Sequence, residues 1–205
     1  MQNRVTVLCL DTALAACTVG VVQQGKIVAA KQELRARGHA ERLIPMVQEV
    51  LLEAGQPVVT AIVCTLGPGS FTGLRVALSA AQAFGLAWNC PVYGVSTLQA
   101  VAYAARETGT EKILVAHDAG RGQCYGQLFA ADATALSGIE TGDADQMDHW
   151  AIKYQARLFG TGVDRGAAEA DPYPAVSAMA AMVAAGLGSE TLAPLYGTSW
   201  SAPPA

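Results

Sequence analysis

Apolar residues fall into short blocks between turn residues, and the spacing inside each block predicts its element. Val5–Leu10, Cys17–Val22 and Lys26–Lys31 read as strands, the last two joined by Gln23-Gln24-Gly25, a hairpin signal. From Gly38 to Ala54, Leu43, Val47, Val50 and Ala54 recur at helical spacing, and Ile44 and Leu51 widen the stripe. Gly55 and Pro57 end that helix. Ala61–Thr65 is a short buried strand, Phe71–Trp88 a helix, Pro91–Val95 a strand and Ser96–Glu107 a helix. The order βββαβαβα predicts three antiparallel strands continued by parallel ones, a mixed sheet with helices on its faces.

The pattern then starts again. Lys112–Asp118, Cys124–Ala130 and Ala133–Glu140 read as three strands, followed by a polar helix over Asp143–Tyr154, a strand at Arg157–Phe159 and an alanine-rich helix over Ala175–Gly186. Each half opens strand, aspartate, strand, strand, with Asp11 and Asp118 at matching places. This is the pattern of a duplicated unit, with domains over residues 1–108 and 109–198 and a disordered tail at 199–205, SWSAPPA.

The helix over Phe71–Trp88 is apolar on almost every side, with Arg75, Ser79, Gln82 and Gly85 as exceptions. A helix of that kind needs cover all round. One side packs on the sheet, and the other calls for a neighbouring helix or a second chain. The expected partner or dimer face therefore comprises Leu43, Ile44, Val47, Val50 and Leu51 on the first helix and Leu74, Val76, Ala77, Ala80, Ala81 and Phe84 on the second.

The loop before that helix reads LGPGSFTGLR. A phosphate-binding P-loop needs GxxxxGK followed by Ser or Thr, and no lysine is present. Gly67, Gly69 and Gly73 are spaced GxGxxxG, one residue too long for a dinucleotide fingerprint. What remains is a strand-to-helix turn, with Ser70 or Thr72 as cap. Asp11, Thr12, Gly67, Gly69, Ser70, Thr72, Gly73 and Arg75 are the loop residues from which an anion contact is expected, if the assembled complex makes one.

Composition narrows the function. The net charge of −4 leaves no electrostatic footprint for nucleic acid. No apolar run reaches the roughly 18 residues of a membrane span, and the first residues lack a signal-peptide layout, so a cytoplasmic protein is expected. The five cysteines are scattered without a CxxC pair, as expected of buried reduced thiols. His39, His117 and His149 have neither HExxH nor HxxxH spacing, and no GxSxG elbow is present. Asp11 and Asp118 are the remaining catalytic candidates. In a duplicated fold they would hold a metal or orient water in a central cleft, or else cap their turns.

The segments LCLDTALAACTVGVV, GHAERLIPMVQEVLLEAG, TLGPGSFTGLRVALSAAQAFGLA and PVYGVSTLQAVA occur in the order found in the TsaB (YeaZ) family, and the resemblance is dense from Val5 to Tyr125. It implies an α/β fold of the actin-like ATPase (ASKHA) superfamily: two RNase H-like domains, each with a mixed, five-stranded-type sheet flanked by helices. It also implies a non-catalytic scaffold and activator, dimeric alone, that pairs with the catalytic subunit TsaD and the ATPase TsaE. That assembly transfers threonylcarbamoyl to the adenine 3′ of the anticodon in tRNAs reading codons that begin with A. tRNA is then met only through the complex. No cofactor or metal is expected for this chain alone, and any ATP or ADP is expected at the interface of the complex. The catalytic sister family carries a metal-binding HxxxH where this chain has Thr97 and Val101. The chain departs from the family's pattern at DAGRGQCY, with Gly120 in place of an arginine and Gln123 in place of a glutamate, and at LYGTSW near the end. The competing expectation is an ASKHA kinase or metal-dependent hydrolase, glycoprotease-like, working through Asp11 and Asp118.

Overall fold

The computed structural model describes residues 5–106, 109, 111–162 and 171–195. The chain forms two compact units, the first from Met1–Val95 with Val176–Pro194, the second centred on Ser96–Ala175. This differs from the division at 108/109 read from the sequence. The helix after Val95 packs on the second sheet, and the last helix, read as the end of the second domain, packs on the first. The expected tail at 199–205, and all but the first residue of LYGTSW, lie outside the described residues.

The first unit carries five strands, β1 (Thr6–Asp11), β2 (Ala16–Gln23), β3 (Lys26–Leu34), β4 (Ala61–Thr65) and β5 (Val92–Val95), in the order β3-β2-β1-β4-β5. β1 pairs antiparallel with β2, and β2 with β3, while β1, β4 and β5 run parallel. β1 and β4 are buried at every position, as expected for strands covered on both faces. Helices α1 (His39–Glu53) and α2 (Phe71–Trp88) cover one face, where Leu8, Leu10, Val19, Val21, Ile62 and Cys64 meet Leu43, Met46, Val47, Val50, Ala77 and Ala81. Alternation along the strands turns Cys9 and Gly20 to the other face, where they meet Val176 at the start of α5 (Val176–Ala184). At the edge, Arg42 of α1 bonds Glu33 of β3 and Glu49 two turns along the same helix face, and Lys31 joins Glu49, so the helix is tied across the edge strand.

The second unit repeats the opening. β6 (Lys112–Gly120), β7 (Gln123–Ala130) and β8 (Glu140–Gly142) form an antiparallel run, and β9 (Arg157–Phe159) pairs parallel with β6, giving the order β8-β7-β6-β9. α3 (Thr97–Ala105) covers one face through Leu98, Val101 and Ala102 against Ile113, Val115 and Phe129. α4 (Ala144–Tyr154) covers the other through Met147 and Trp150, and its Asp143–Gln146 capping box holds its start. Two expectations are corrected. Among the described residues this sheet has four strands, not five. The third strand is not a continuous Ala133–Glu140: Ala133 sits at φ 67°, the Asp132 side chain accepts from the Thr134 amide, Ala135 makes only an isolated antiparallel bridge to Phe129, and the ladder with β7 is formed by Glu140–Gly142. Among the described residues no helix is long and apolar enough to cross a membrane.

Candidate functional site

The loop LGPGSFTGLR runs from β4 into α2 and is seated on the turn after β1. The Ser70 amide donates to the Ala13 carbonyl at 2.7 Å, and the Thr12 hydroxyl donates to the Gly73 carbonyl at 2.6 Å. A Cβ at Gly69 would run into the Ala13 carbonyl, and one at Gly73 into the carbonyl of Thr12. Gly67 alone among the three glycines has a positive φ, 105°. Gly69 and Gly73 are therefore there for close backbone approach rather than for a left-handed turn. The amides at the helix start are also engaged: Gly73 donates to the Ser70 side chain at 3.3 Å and Leu74 to the Ser70 carbonyl at 2.9 Å. Ser70, not Thr72, is the cap. Thr72 and Arg75 lie on the exposed side of α2, with the Arg75 guanidinium 3.7 Å from the centre of the Phe71 ring.

Beneath this loop Asp11 closes β1. Its Oδ1 accepts from the Thr65 hydroxyl at 2.5 Å and from the Ala13 amide at 3.1 Å. The side chain is fully buried, and burial pushes its pKa up to about 6 against the pull of those two hydrogen bonds. Asp118, its counterpart in the second unit, stands in the open, its Oδ1 accepting from the Gly120 amide at 2.7 Å. The seat recurs there in simpler form. Gly160, after β9, presses on the Ala116 carbonyl, and the Gly162 amide donates to the same carbonyl at 3.1 Å. Beside it His117 is buried, its Nδ1 accepting from the Thr161 amide at 3.2 Å, and burial pushes its pKa down to about 3. Thr97 and Val101, the positions that the family resemblance sets against the catalytic family's histidines, are both buried in the second unit. They supply no imidazole, so these positions do not fit the sister family's metal. Among the described residues no group of three or more His, Cys, Asp or Glu side chains could hold an ion.

The expected interface residues divide sharply. Leu43, Val47, Val50, Leu74, Ala77 and Ala81 are almost wholly buried and belong to the first unit's own core, so they are not open to a partner. Leu51, Val76, Ala80 and Phe84 are half-buried and pack against that core from its margin. Ile44 alone of the set is exposed. α2 is also not apolar all round. Thr72, Arg75, Ser79 and Gln82 form one exposed stripe, and Gly85 is buried with its missing Cβ against Val92. Several of the exposed large apolar side chains stand near the far ends of the two helices instead. Leu52 is 67% exposed, Leu86 87% and Val58 84%, with Trp88 stacked on Phe84 beside them. A cavity of about 520 Å³ opens there, lined by Gln48, Leu51, Pro57, Val58, Val59 and Trp88. Periodicity gave no signal for Leu52 or Leu86, because a wide apolar arc does not say which of its members face the sheet. Thr65 was also missed. Only the parallel register of Leu10 with Cys64 sets it beside Asp11.

The family model described as TsaD, tRNA N6-adenosine threonylcarbamoyltransferase, matches residues 26–198. The tRNA threonylcarbamoyladenosine biosynthesis protein TsaB of Escherichia coli (strain K12) is 38% identical over 133 residues, which are 63% of this chain and 57% of that protein. TsaB of Haemophilus influenzae is 38% identical over 128 residues, 61% of this chain and 53% of that one. The chain thus spans little more than half the length of these relatives. Among solved structures, YeaZ from Pseudomonas aeruginosa superposes with a TM-score of 0.73 at 28% identity, covering 94% of this chain and 99% of that one.

Proposed function

Because the chain belongs to the TsaB (YeaZ) family of tRNA threonylcarbamoyladenosine biosynthesis proteins, we propose that it is the non-catalytic scaffold and activator subunit of the bacterial threonylcarbamoyl transferase. In this reading it pairs with TsaD, and through it with TsaE, for transfer to the adenine 3′ of the anticodon in tRNAs reading codons that begin with A. Alone it forms a homodimer, it works in the cytoplasm, and any nucleotide it helps to hold lies at the interface of the complex. The observation that carries the reading is the set of exposed apolar side chains Leu52, Val58 and Leu86 near the far ends of α1 and α2, on a unit with its own buried core. Apolar side chains exposed together mark protein contacts where they form a patch, and the cavity beside Val58 and Trp88 supports that reading. These positions are compatible with a homodimer exchanging for TsaD, since both partners would use the same helices. Sedimentation and pull-down test it: the isolated chain runs as a dimer, and immobilised TsaD retains it. A monomer that TsaD ignores would overturn the reading.

The enzyme alternative needs Asp11 and Asp118 as ligands for a metal or for nucleotide-bound magnesium. Asp11 speaks against it, since its carboxylate is sealed from solvent by the same loop that the family motif supplies. Calorimetry of the isolated chain with ATP and divalent ions separates the two. The scaffold reading expects no saturable heat at micromolar protein and no turnover, and tight binding with hydrolysis would establish the enzyme.

A further inference from the structure

Helix α1 carries a proline where a helix tolerates one poorly. Pro45 lies inside His39–Glu53, past the first turn. It has no amide proton for the Glu41 carbonyl, and its ring crowds that carbonyl. The break divides the helix into His39–Ile44 and Pro45–Glu53. The first segment is the more weakly held. Gly38 before it makes no side-chain cap bond, and only His39 and Leu43 are buried in it, against Met46, Val47 and Val50 beyond the proline.

One side chain reaches across the break. Arg42 precedes Pro45 by almost a turn, and Glu49 follows it by about a turn on the face of Arg42. Arg42 Nη1 and Nη2 donate to the two Glu49 carboxylate oxygens at 2.6 and 2.9 Å. Its Nε and Nη2 donate to Oε1 of Glu33, on β3, at 2.8 and 2.6 Å. Lys31, also on β3, donates to Glu49 at 2.8 Å. Bidentate, charge-assisted bonds of this kind fix geometry as well as adding strength. The arginine side chain is 19% exposed, less than Glu33 at 39% or Glu49 at 40%. A cation in the first turn opposes the helix dipole, so the helix alone does not favour arginine at this position, whereas the two carboxylates do.

We propose that Arg42 is a positioning residue, a side-chain staple across a proline-broken helix: its fork to Glu49 replaces the tie that Pro45 removes, and its bonds to Glu33 pin the first segment to the sheet edge. Without the guanidinium the segment loses both ties at once, and the two carboxylates that it holds together repel. The staple also keeps the outer face of α1 in line. Ala40, Ile44, Gln48 and Leu52 are exposed at four-residue spacing, two on each side of the break, and form one stripe only while the segments stay coaxial. The staple lies wholly within the first unit and does not rest on the partner reading.

Hydrogen exchange of the full chain, followed by mass spectrometry, reads the segment directly. Arg42→Met is expected to speed exchange in peptides covering residues 39–48 by roughly tenfold or more, with the peptides of α2 unchanged. Pro45→Ala restores the missing amide, so the same arginine substitution in that background is expected to have a much smaller effect. Glu49→Gln, which keeps the shape and removes the charge, gives the same comparison in a milder form, as does about 1 M salt on the wild-type chain. Equal acceleration with and without Pro45, or no acceleration in its presence, would overturn the staple, and the salt arm decides even if Arg42→Met fails to fold.

Discussion

Gly73→Ala unfolds the first unit at a temperature roughly 10 °C below the wild type, taking about 2–4 °C per kcal/mol for a chain of this size. The added methyl meets the Thr12 carbonyl oxygen, and beyond it Ser70 Cβ at 3.4 Å. A backbone oxygen in a buried turn cannot rotate aside as a side chain can. The start of α2 must lift from the turn after β1, and two hydrogen bonds go with it, Thr12 Oγ1 to the Gly73 carbonyl and the Ser70 amide to the Ala13 carbonyl. Overpacking costs about 1–3 kcal/mol and each lost bond about 1 kcal/mol, against a helix-propensity gain of at most about 1 kcal/mol. The sum is a loss of about 3 kcal/mol. Gly85→Ala, in the same helix, is the internal comparison. Its methyl would meet the Val92 side chain, which can turn, and would stand 3.2 Å from the Cys90 carbonyl oxygen, much farther than the backbone oxygen met at Gly73, so a smaller loss is expected. Thermal denaturation followed by circular dichroism checks both. A Gly73→Ala melt within two degrees or so of the wild type would refute the account of the loop as a close-packed seat.

The second large effect is on association. The double substitution Leu52→Glu, Leu86→Glu places two charges among the exposed apolar side chains, at positions 67% and 87% exposed. Exposed substitutions change stability by less than about 0.5 kcal/mol, so the melt should hold. An anchor at the centre of an interface is worth about 2 kcal/mol or more, so affinity for TsaD should fall by at least ~30-fold if one of the two is an anchor and by roughly a thousand-fold if both are. Titration with labelled TsaD measures it. Ala80→Glu, the substitution that the sequence periodicity alone would favour, is a poorer test. Ala80 packs against the unit's own core, and a glutamate there would unsettle the fold and the contact together.

Much of this architecture was legible because short apolar runs were bracketed by strong punctuation. The bounds of α2 agree with the Phe71–Trp88 helix read from the sequence, and β1 to β5 with the strands read between their turns, to within a few residues. The segment Ala133–Glu140 read as one strand, but the positive φ of Ala133 and the Ser137 hydroxyl, which takes the Leu128 amide in place of a backbone carbonyl, reduce its first part to an isolated bridge at Ala135. The return of α5 to the first sheet was not legible, since Val176 against Gly20 and Cys9 is a contact between distant parts of the chain. The glycines of LGPGSFTGLR were legible as a turn but not as a seat, because the carbonyls of Thr12 and Ala13 that they approach belong to another strand end. The interface was legible as to helices and not as to residues. An apolar arc on α1 and α2 names the inward and outward members alike, and six of the eleven expected positions proved to be core.

The central claim is that this chain is needed by the transferase without carrying its chemistry. Reconstitution of TsaD, TsaE and the adenylate-forming synthase on unmodified tRNA, with and without this protein, measures it through the yield of threonylcarbamoyladenosine. The account predicts modification that depends on the wild-type chain, persists with Asp118→Asn, and is lost with the Leu52→Glu, Leu86→Glu variant. Equal yields with and without the chain, or loss of activity on changing Asp118 while TsaD binding is intact, would contradict it.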